Sequence, residues 1–145
     1  MAKFRYKFES IKKIKETFEK KIQKEISLID LEIEKQNGLL ESLAEEKNKS
    51  RNSLSGRSFI KISELQFQGE VQNLLGLREK KILNEIANLR KIKETRMLEL
   101  EQKTKEHKIF ETLEEKHYED FLLVQNQIEQ KEIDEIASKK FAREA

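Results

Sequence analysis

The sequence predicts an all-α fold: two long helices in an antiparallel coiled-coil hairpin, with short helical elements at the tip. Three observations predict it. None of the 145 residues is proline and only four are glycine, 40% are Asp, Glu, Lys or Arg, and apolar residues return every third or fourth position through two long stretches. A hydrophobic share of 36% and a mean hydropathy of -0.82 are too lean for a rounded core of this length. They suffice for the narrow seam that two helices share. One elongated domain over residues 1–145 is expected.

The first helix is expected over about residues 4–51. Phe4, Phe8, Ile11, Lys15, Phe18, Ile22, Ile26, Ile29, Ile33, Gln36, Leu40 and Leu43 step by threes and fours, which is one helical stripe. Its outer face carries Glu9 with Lys13 and Glu16 with Lys20 at four-residue spacing, pairs worth about 0.3 kcal/mol each. At about 1.5 Å per residue this helix would be about 70 Å long. The stripe fails at Asn52-Ser53-Leu54-Ser55-Gly56-Arg57-Ser58, where Ser and Asn compete for backbone hydrogen bonds and Gly supplies left-handed geometry. A tip region is expected over residues 52–77, holding one or two short helices, because Gly69 and Gly76 each weaken a helix by about 1 kcal/mol. The second long helix is expected over residues 78–142, on a stripe through Ile82, Ile86, Leu89, Ile92, Met97, Leu100, His107, Phe110, Leu113, Phe121, Val124 and Ile128.

Charge blocks set the orientation. Residues 1–24 carry nine bases and three acids, and residues 25–46 carry one base and seven acids. The second stretch reverses this order, with ten bases and six acids over residues 78–108 and two bases and nine acids over residues 109–135. An antiparallel hairpin folded about a midpoint near residue 64 matches both pairs of blocks at once. It sets Phe8 near Phe121 and Ile29 near Leu100. A sharp turn at Gly56 would instead bring the basic region around Lys13 to Leu98, base against base. The overall charge of +2 gives no field to hold nucleic acid or an anionic membrane. The longest apolar run, Phe121-Leu122-Leu123-Val124, falls far short of a membrane span, and residues 1–7 lack the apolar stretch of a signal peptide. With no cysteine in addition, a soluble cytoplasmic protein without membrane insertion is expected.

Phe4-Arg5-Tyr6-Lys7-Phe8 opens the chain and Gln130-Lys131-Glu132-Ile133-Asp134-Glu135-Ile136-Ala137 lies near its close, and in both the chain resembles the flagellar export protein FliJ family. The opening Phe4-Arg5-Tyr6-Lys7-Phe8 followed by Ile11 is similar to that family's aromatic-x-aromatic start. The closing Phe121 and Gln130-Lys131-Glu132-Ile133-Asp134-Glu135-Ile136-Ala137 is similar to its C-terminal acidic-hydrophobic signature. The chain departs from many relatives in using Lys and Ile where they use Arg, Leu and Ala. The resemblance implies a component of the flagellar type III export apparatus, peripherally associated with the flagellar base at the inner membrane. It implies an antiparallel coiled coil similar to the stalk of rotary ATPases, which binds the export ATPase through the end bearing both termini. The cytoplasmic domain of the export gate and certain export chaperones are the other implied partners.

On that reading Phe4, Tyr6, Phe8, Phe121, Leu122, Leu123, Gln130 and Asp134 are the candidate ATPase contacts. Aromatics at this spacing also suit a seam that closes a frayed helix end, while the run from Phe121 to Val124 puts apolar atoms on more faces than a two-helix seam covers. Candidate contacts for the tip-side partner are Leu40, Leu43, Lys47, Lys49, Arg51, Phe67, Leu74 and Leu75. The run Lys47, Lys49, Arg51, Arg57 and Lys61 contains no acid and suits an acidic protein surface, whereas no aromatic platform interleaves it for nucleic acid.

Catalysis finds no support in the sequence. His107 and His117 lie ten apart without cysteine, and Glu114 beside His117 falls short of a His-Glu-x-x-His ligand set. There is no Gly-rich phosphate loop and no cofactor is implied. The expected function is a non-enzymatic adaptor and regulator that binds the export ATPase and couples it to the gate. Two other classes share the hairpin, a prefoldin-like holdase and a purely structural coiled-coil oligomer. The holdase would need strand segments in residues 52–77, which show no clean alternation.

Overall fold

The computed structural model describes residues 2–144 and is all-α. Helix α1 spans Glu9–Asn52 and helix α2 spans Ile62–Glu144, and the two pack against each other as an antiparallel hairpin. The chain divides into two compact units. A terminal unit holds residues 1–20 and 101–145, and a loop unit holds residues 21–100.

In the loop unit the seam follows the heptad. Ile22, Ile26, Ile29, Ile33, Gln36, Leu40, Leu43 and Lys47 of α1 are buried or half-buried at alternating steps of four and three. Leu75, Glu79, Ile82, Ile86, Leu89, Lys93 and Arg96 of α2 do the same, with Val71 one further step of four before Leu75. Ile22, Leu43, Leu75 and Ile86 are the buried residues of this unit. Flanking ion pairs fix the register: Asp30 to Lys93 at 2.6 Å, Glu25 to Arg96 at 3.3 Å, and Lys47 to Glu79. Residue 29 therefore faces the stretch between Lys93 and Arg96, between one and two helical turns from the expected Leu100. Ile92 and Met97, assigned by the sequence to the stripe, are exposed, and Lys93 and Arg96 hold the seam positions instead. A lysine or arginine can lay its methylene stem along the seam and keep its charge at the rim, so side-chain polarity misplaces such positions.

The tip is narrower than expected. Helix is continuous from Ile62, so only residues 53–61 are non-helical, and Gly69 and Gly76 lie inside α2. Tertiary contacts outweigh the glycine cost here. The Gln68 side-chain amide donates to the Ser50 carbonyl at 2.7 Å and that of Gln72 to the Lys47 carbonyl at 3.2 Å, tying the first turns of α2 to the last turns of α1. Lys49 and Arg51 lie in the last turn of α1 and Glu64 in the first turn of α2, each complementing the helix dipole. The turn itself runs through Gly56 at φ 78°, and Arg57 pairs with Glu64 at 3.1 Å.

The terminal unit also departs from expectation at its start. Residues 2–6 are not helical and α1 begins at Glu9, not near residue 4. Phe4, Tyr6 and Phe8 alternate with the exposed Lys3, Arg5 and Lys7, a period of two that suits an extended strap better than a helix.

Two substitution series test these assignments. A Cβ built at Gly38 or Gly69 meets nothing within 4 Å, so Gly38→Ala and Gly69→Ala each raise stability by about 0.5–1 kcal/mol in urea unfolding. Gly56→Ala lowers it, because φ 78° strains a side chain. Leu75→Ala and Ile86→Ala cost about 2–4 kcal/mol, whereas Leu98→Ala, at an exposed position, changes little.

Candidate functional site

In the terminal unit the non-helical strap lies on α2 through aromatic packing. The Phe4 ring sits 5.3 Å from Tyr118 and 5.5 Å from Phe121, Tyr6 sits 5.7 Å from His117, and Phe8 sits 6.1 Å from Phe110. These edge-on and tilted contacts are the arrangements that ring quadrupoles favour. Tyr6 is buried, and its hydroxyl donates to the Phe110 carbonyl at 2.7 Å. That carbonyl already serves the α2 backbone, so the phenol takes its second lone pair. Phe4, Tyr6, Phe8 and Phe121 are thus packing residues, with only Phe4, Phe8 and Phe121 half-exposed. Phe8 meets Phe110 and His117, and Phe4 takes the place against Phe121 that the sequence reading gave to Phe8.

Below the strap the seam turns polar. Lys12 pairs with Glu114 at 2.5 Å and Lys15 with Glu106 at 2.7 Å, and Glu19 accepts from the Thr104 hydroxyl at 3.1 Å. His107 closes this ladder. Its Nδ1 lies 3.0 Å from Glu19 and its Nε2 3.4 Å from Glu111, and Nε2 is buried without a hydrogen bond. Ile11, Ile14 and Phe18 are exposed in consequence, with Lys103 over the Phe18 ring at 5.8 Å. The sequence stripe through Ile11 and Phe18 is therefore offset from the true seam of Lys12, Lys15 and Glu19. Charges normally mark an outer face, and the signal that could have found this seam is the match of Lys12, Lys15 and Glu19 to Glu114, Glu106 and His107 at one register.

The remaining terminal candidates lie at the surface. Leu122 is 42% exposed, Leu123 59% and Val124 51%. Gln130 and Asp134 are exposed and hydrogen-bond to each other at 3.2 Å across one turn. Ile128, Ile133, Ile136 and Phe141 are exposed as well. None of these four was among the expected contacts.

In the loop unit the tip candidates split in the same way. Leu43 and Leu75 are buried in the seam and Leu40 is half-buried, so they hold the helices together. Phe67 and Leu74 are exposed, as are Phe59, Ile62 and Leu65, which sequence reasoning passed over. A cleft of about 380 Å³ lies between the helices here, with Leu54, Phe67 and Val71 on its apolar side and Ser50, Arg57 and Gln68 on its polar side. The basic run is less free than its sequence suggests. Glu79 holds Lys47 and Glu64 holds Arg57, leaving Lys49 and Arg51 exposed.

Among the described residues no group of three His, Cys, Asp or Glu side chains could hold a metal ion, and no helix is long and apolar enough to cross a membrane. The geometry offers surfaces for binding. The family described as the flagellar FliJ protein matches residues 4–145, from the aromatic strap through the exposed end of α2. The chain belongs to the FliJ family. No curated protein and no solved structure matches it. Membership makes this FliJ-family chain a component of the flagellar export apparatus, in a family of non-enzymatic proteins.

Titration of the terminal unit checks the polar seam of this FliJ-family chain. The Lys15 ammonium beside Glu106 holds its carboxyl below the ordinary 4.5, so that contribution is present above about pH 4.5 and is lost as pH falls through the lower folded value. Glu114 raises Lys12 above 10.5, and burial with the nearby Glu114 charge raises the Tyr6 phenol above 10.0. Both contributions are full below those ordinary values and are lost as pH rises beyond them. The melting temperature therefore falls on both the acid and the alkaline limb. Glu106→Gln removes part of the acid limb and leaves the alkaline one, while Tyr6→Phe lowers the melting temperature at neutral pH and flattens the alkaline limb.

Proposed function

We propose that this protein is an adaptor of the flagellar export apparatus that binds the export ATPase through its terminal unit and the export-gate cytoplasmic domain through its loop unit, coupling one to the other. The observation that carries this reading is the division of apolar residues in each unit between those that pack and those left open. In the terminal unit the aromatic strap packs on α2, and Leu122, Leu123 and Val124 are three successive residues among those apolar side chains left open. They lie on consecutive positions of one helix, a spread that a single seam cannot cover. A partner that covers them gains burial without disturbing the hairpin. In the loop unit Phe67, Leu74 and Ile62 stand exposed, as do Lys49 and Arg51 in the last turn of α1, apolar and basic groups that suit an acidic protein surface. Export chaperones fit as partners that share these surfaces. Hydrolysis belongs to the ATPase, which this protein stimulates by binding.

Two outcomes test the two contacts separately. Leu122→Asp or Leu123→Asp abolishes stimulation of the purified export ATPase at a cost of about 2 kcal/mol or more in binding, with helicity and melting near those of the wild type. Equal loss of folding in both variants would make the run structural. Charge reversal at Lys49 and Arg51, which leaves the Lys47–Glu79 pair intact, weakens titrated binding of the isolated gate domain and spares ATPase binding. Unchanged gate affinity would leave the apolar tip residues as the contact.

A further inference from the structure

We infer that the exposed end of α2 is a self-complementary docking surface, on which two copies of this chain pair as antiparallel helices. This goes beyond the adaptor reading and does not rest on it. Every residue over 126–144 is exposed although the segment is helical throughout to Glu144. About five turns of helix standing without a packed face are marginal in water, since helices of that length draw most of their stability from tertiary contact. The segment carries the apolar side chains such contact needs, Ile133, Ile136 and Phe141.

What covers this face is argued from its charge. Residues 129–135 hold four acids and one base, and residues 136–144 hold three bases and one acid. The segment is thus acidic in its first half and basic in its second, and a copy laid against it in the opposite direction meets opposite charge in both halves. Laid in the same direction, it meets like charge in both. Glu129, Ile133, Ile136, Lys140 and Arg143 recur at steps of four, three, four and three, the spacing of a two-helix seam. With the two-fold axis at Ile136, that residue meets its own copy, and Ile133 lies under the aliphatic stem of Lys140. Glu129 then faces Arg143, and Glu132 faces Lys140 across the rim. An isologous interface of this kind closes at two copies and does not propagate. Gln130 and Asp134 fall inside the paired segment, so pairing and the proposed ATPase contact at those residues exclude each other.

Sedimentation equilibrium of the full chain tests the pairing without any partner. The wild type forms a dimer whose dissociation constant rises about tenfold or more between ~50 and ~500 mM salt. Glu129→Lys with Glu132→Lys and Glu135→Lys in one variant, and Lys139→Glu with Lys140→Glu and Arg143→Glu in another, each give monomers alone and a heterodimer when mixed. Because the chain has no cysteine, Ile136→Cys yields disulfide-linked dimers while Leu98→Cys, at an exposed position of the loop unit, does not. Glu129→Cys mixed with Arg143→Cys crosslinks between the two variants faster than within either one. A wild type that stays monomeric at ~100 µM and low salt, or charge variants that associate as the wild type does, would overturn the inference. So would crosslinking of Glu129→Cys to itself in preference to Arg143→Cys, which signals parallel pairing. Should a charge variant lose helicity, the single-cysteine crosslinks decide alone.

Discussion

Two helices can hide only one narrow stripe of each other, and most features of this protein follow from that constraint. A seam residue in such a pair meets neighbours from one direction, so deep burial is confined to the few positions where large apolar side chains interlock. Here those are Ile22, Leu43, Leu75 and Ile86 in the loop unit and Tyr6 in the terminal unit. Every other large apolar side chain among the described residues stands partly in water, and there are many of them. With little apolar surface to bury, specificity of register must come from elsewhere. The flanking ion pairs supply it, since a slip of one turn would set the 25–46 acids and the 109–135 acids against the wrong partners. Singly such exposed pairs add little to stability, but a register is chosen by their sum.

The two units solve the seam differently. In the loop unit the stripe is aliphatic and regular, and side-chain amides of Gln68 and Gln72 tie it at the connection. In the terminal unit the stripe is occupied by Lys12, Lys15, Glu19 and His107, and the apolar part is supplied by a non-helical strap. A polar seam costs desolvation that its pairing must offset, and it leaves Ile11, Ile14 and Phe18 facing out. The strap compensates by burying aromatic surface where α1 has not yet begun. His107 completes the contrast, set between Glu19 and Glu111 with one ring nitrogen unbonded.

The sequence revealed the helices, their antiparallel pairing and the charge-matched register to within about two turns, because each of these depends on sums over many residues. It misled where a single residue outweighed the sum. Gly69 and Gly76 signalled a break, yet α2 runs through both, since glycine costs about 1 kcal/mol and the packed turns around Leu75 recover more. The period-two alternation of Phe4, Tyr6 and Phe8 was legible as an extended segment but was outvoted by the three-four steps that continue from Phe8. Lys12, Lys93 and Arg96 were unreadable as seam residues from polarity, because an amphipathic stem can occupy a seam that its charged head leaves, whereas the spacing alone placed Lys15 there. Of the candidate contacts, Leu122, Leu123, Phe67 and Leu74 lie at the surface, while Tyr6, Leu43 and Leu75 lie within the packing. Sequence cannot make that separation. Both groups obey the same apolar periodicity, and only the register, offset by between one and two turns, decides which of them meets the other helix.

The same offset bears on how binding and stability divide in a hairpin of this family. When a residue packs in the seam, its replacement opens the pair and any partner is lost with it, so loss of function at Tyr6 or Leu75 says nothing about contact. Where a residue stands on a face that the partner helix cannot reach, folding is indifferent to it and its apolar character needs another explanation. Leu122 to Val124 and the face of Ile133 and Ile136 are of this second kind, and water is their neighbour in the isolated chain. Their retention beside dense charge is costly for solubility and contributes nothing to the hairpin. Surfaces that another protein covers are the physical circumstance in which such residues are stable, and the order of charges along residues 129–143, acids first and bases after, suits the same segment laid in reverse.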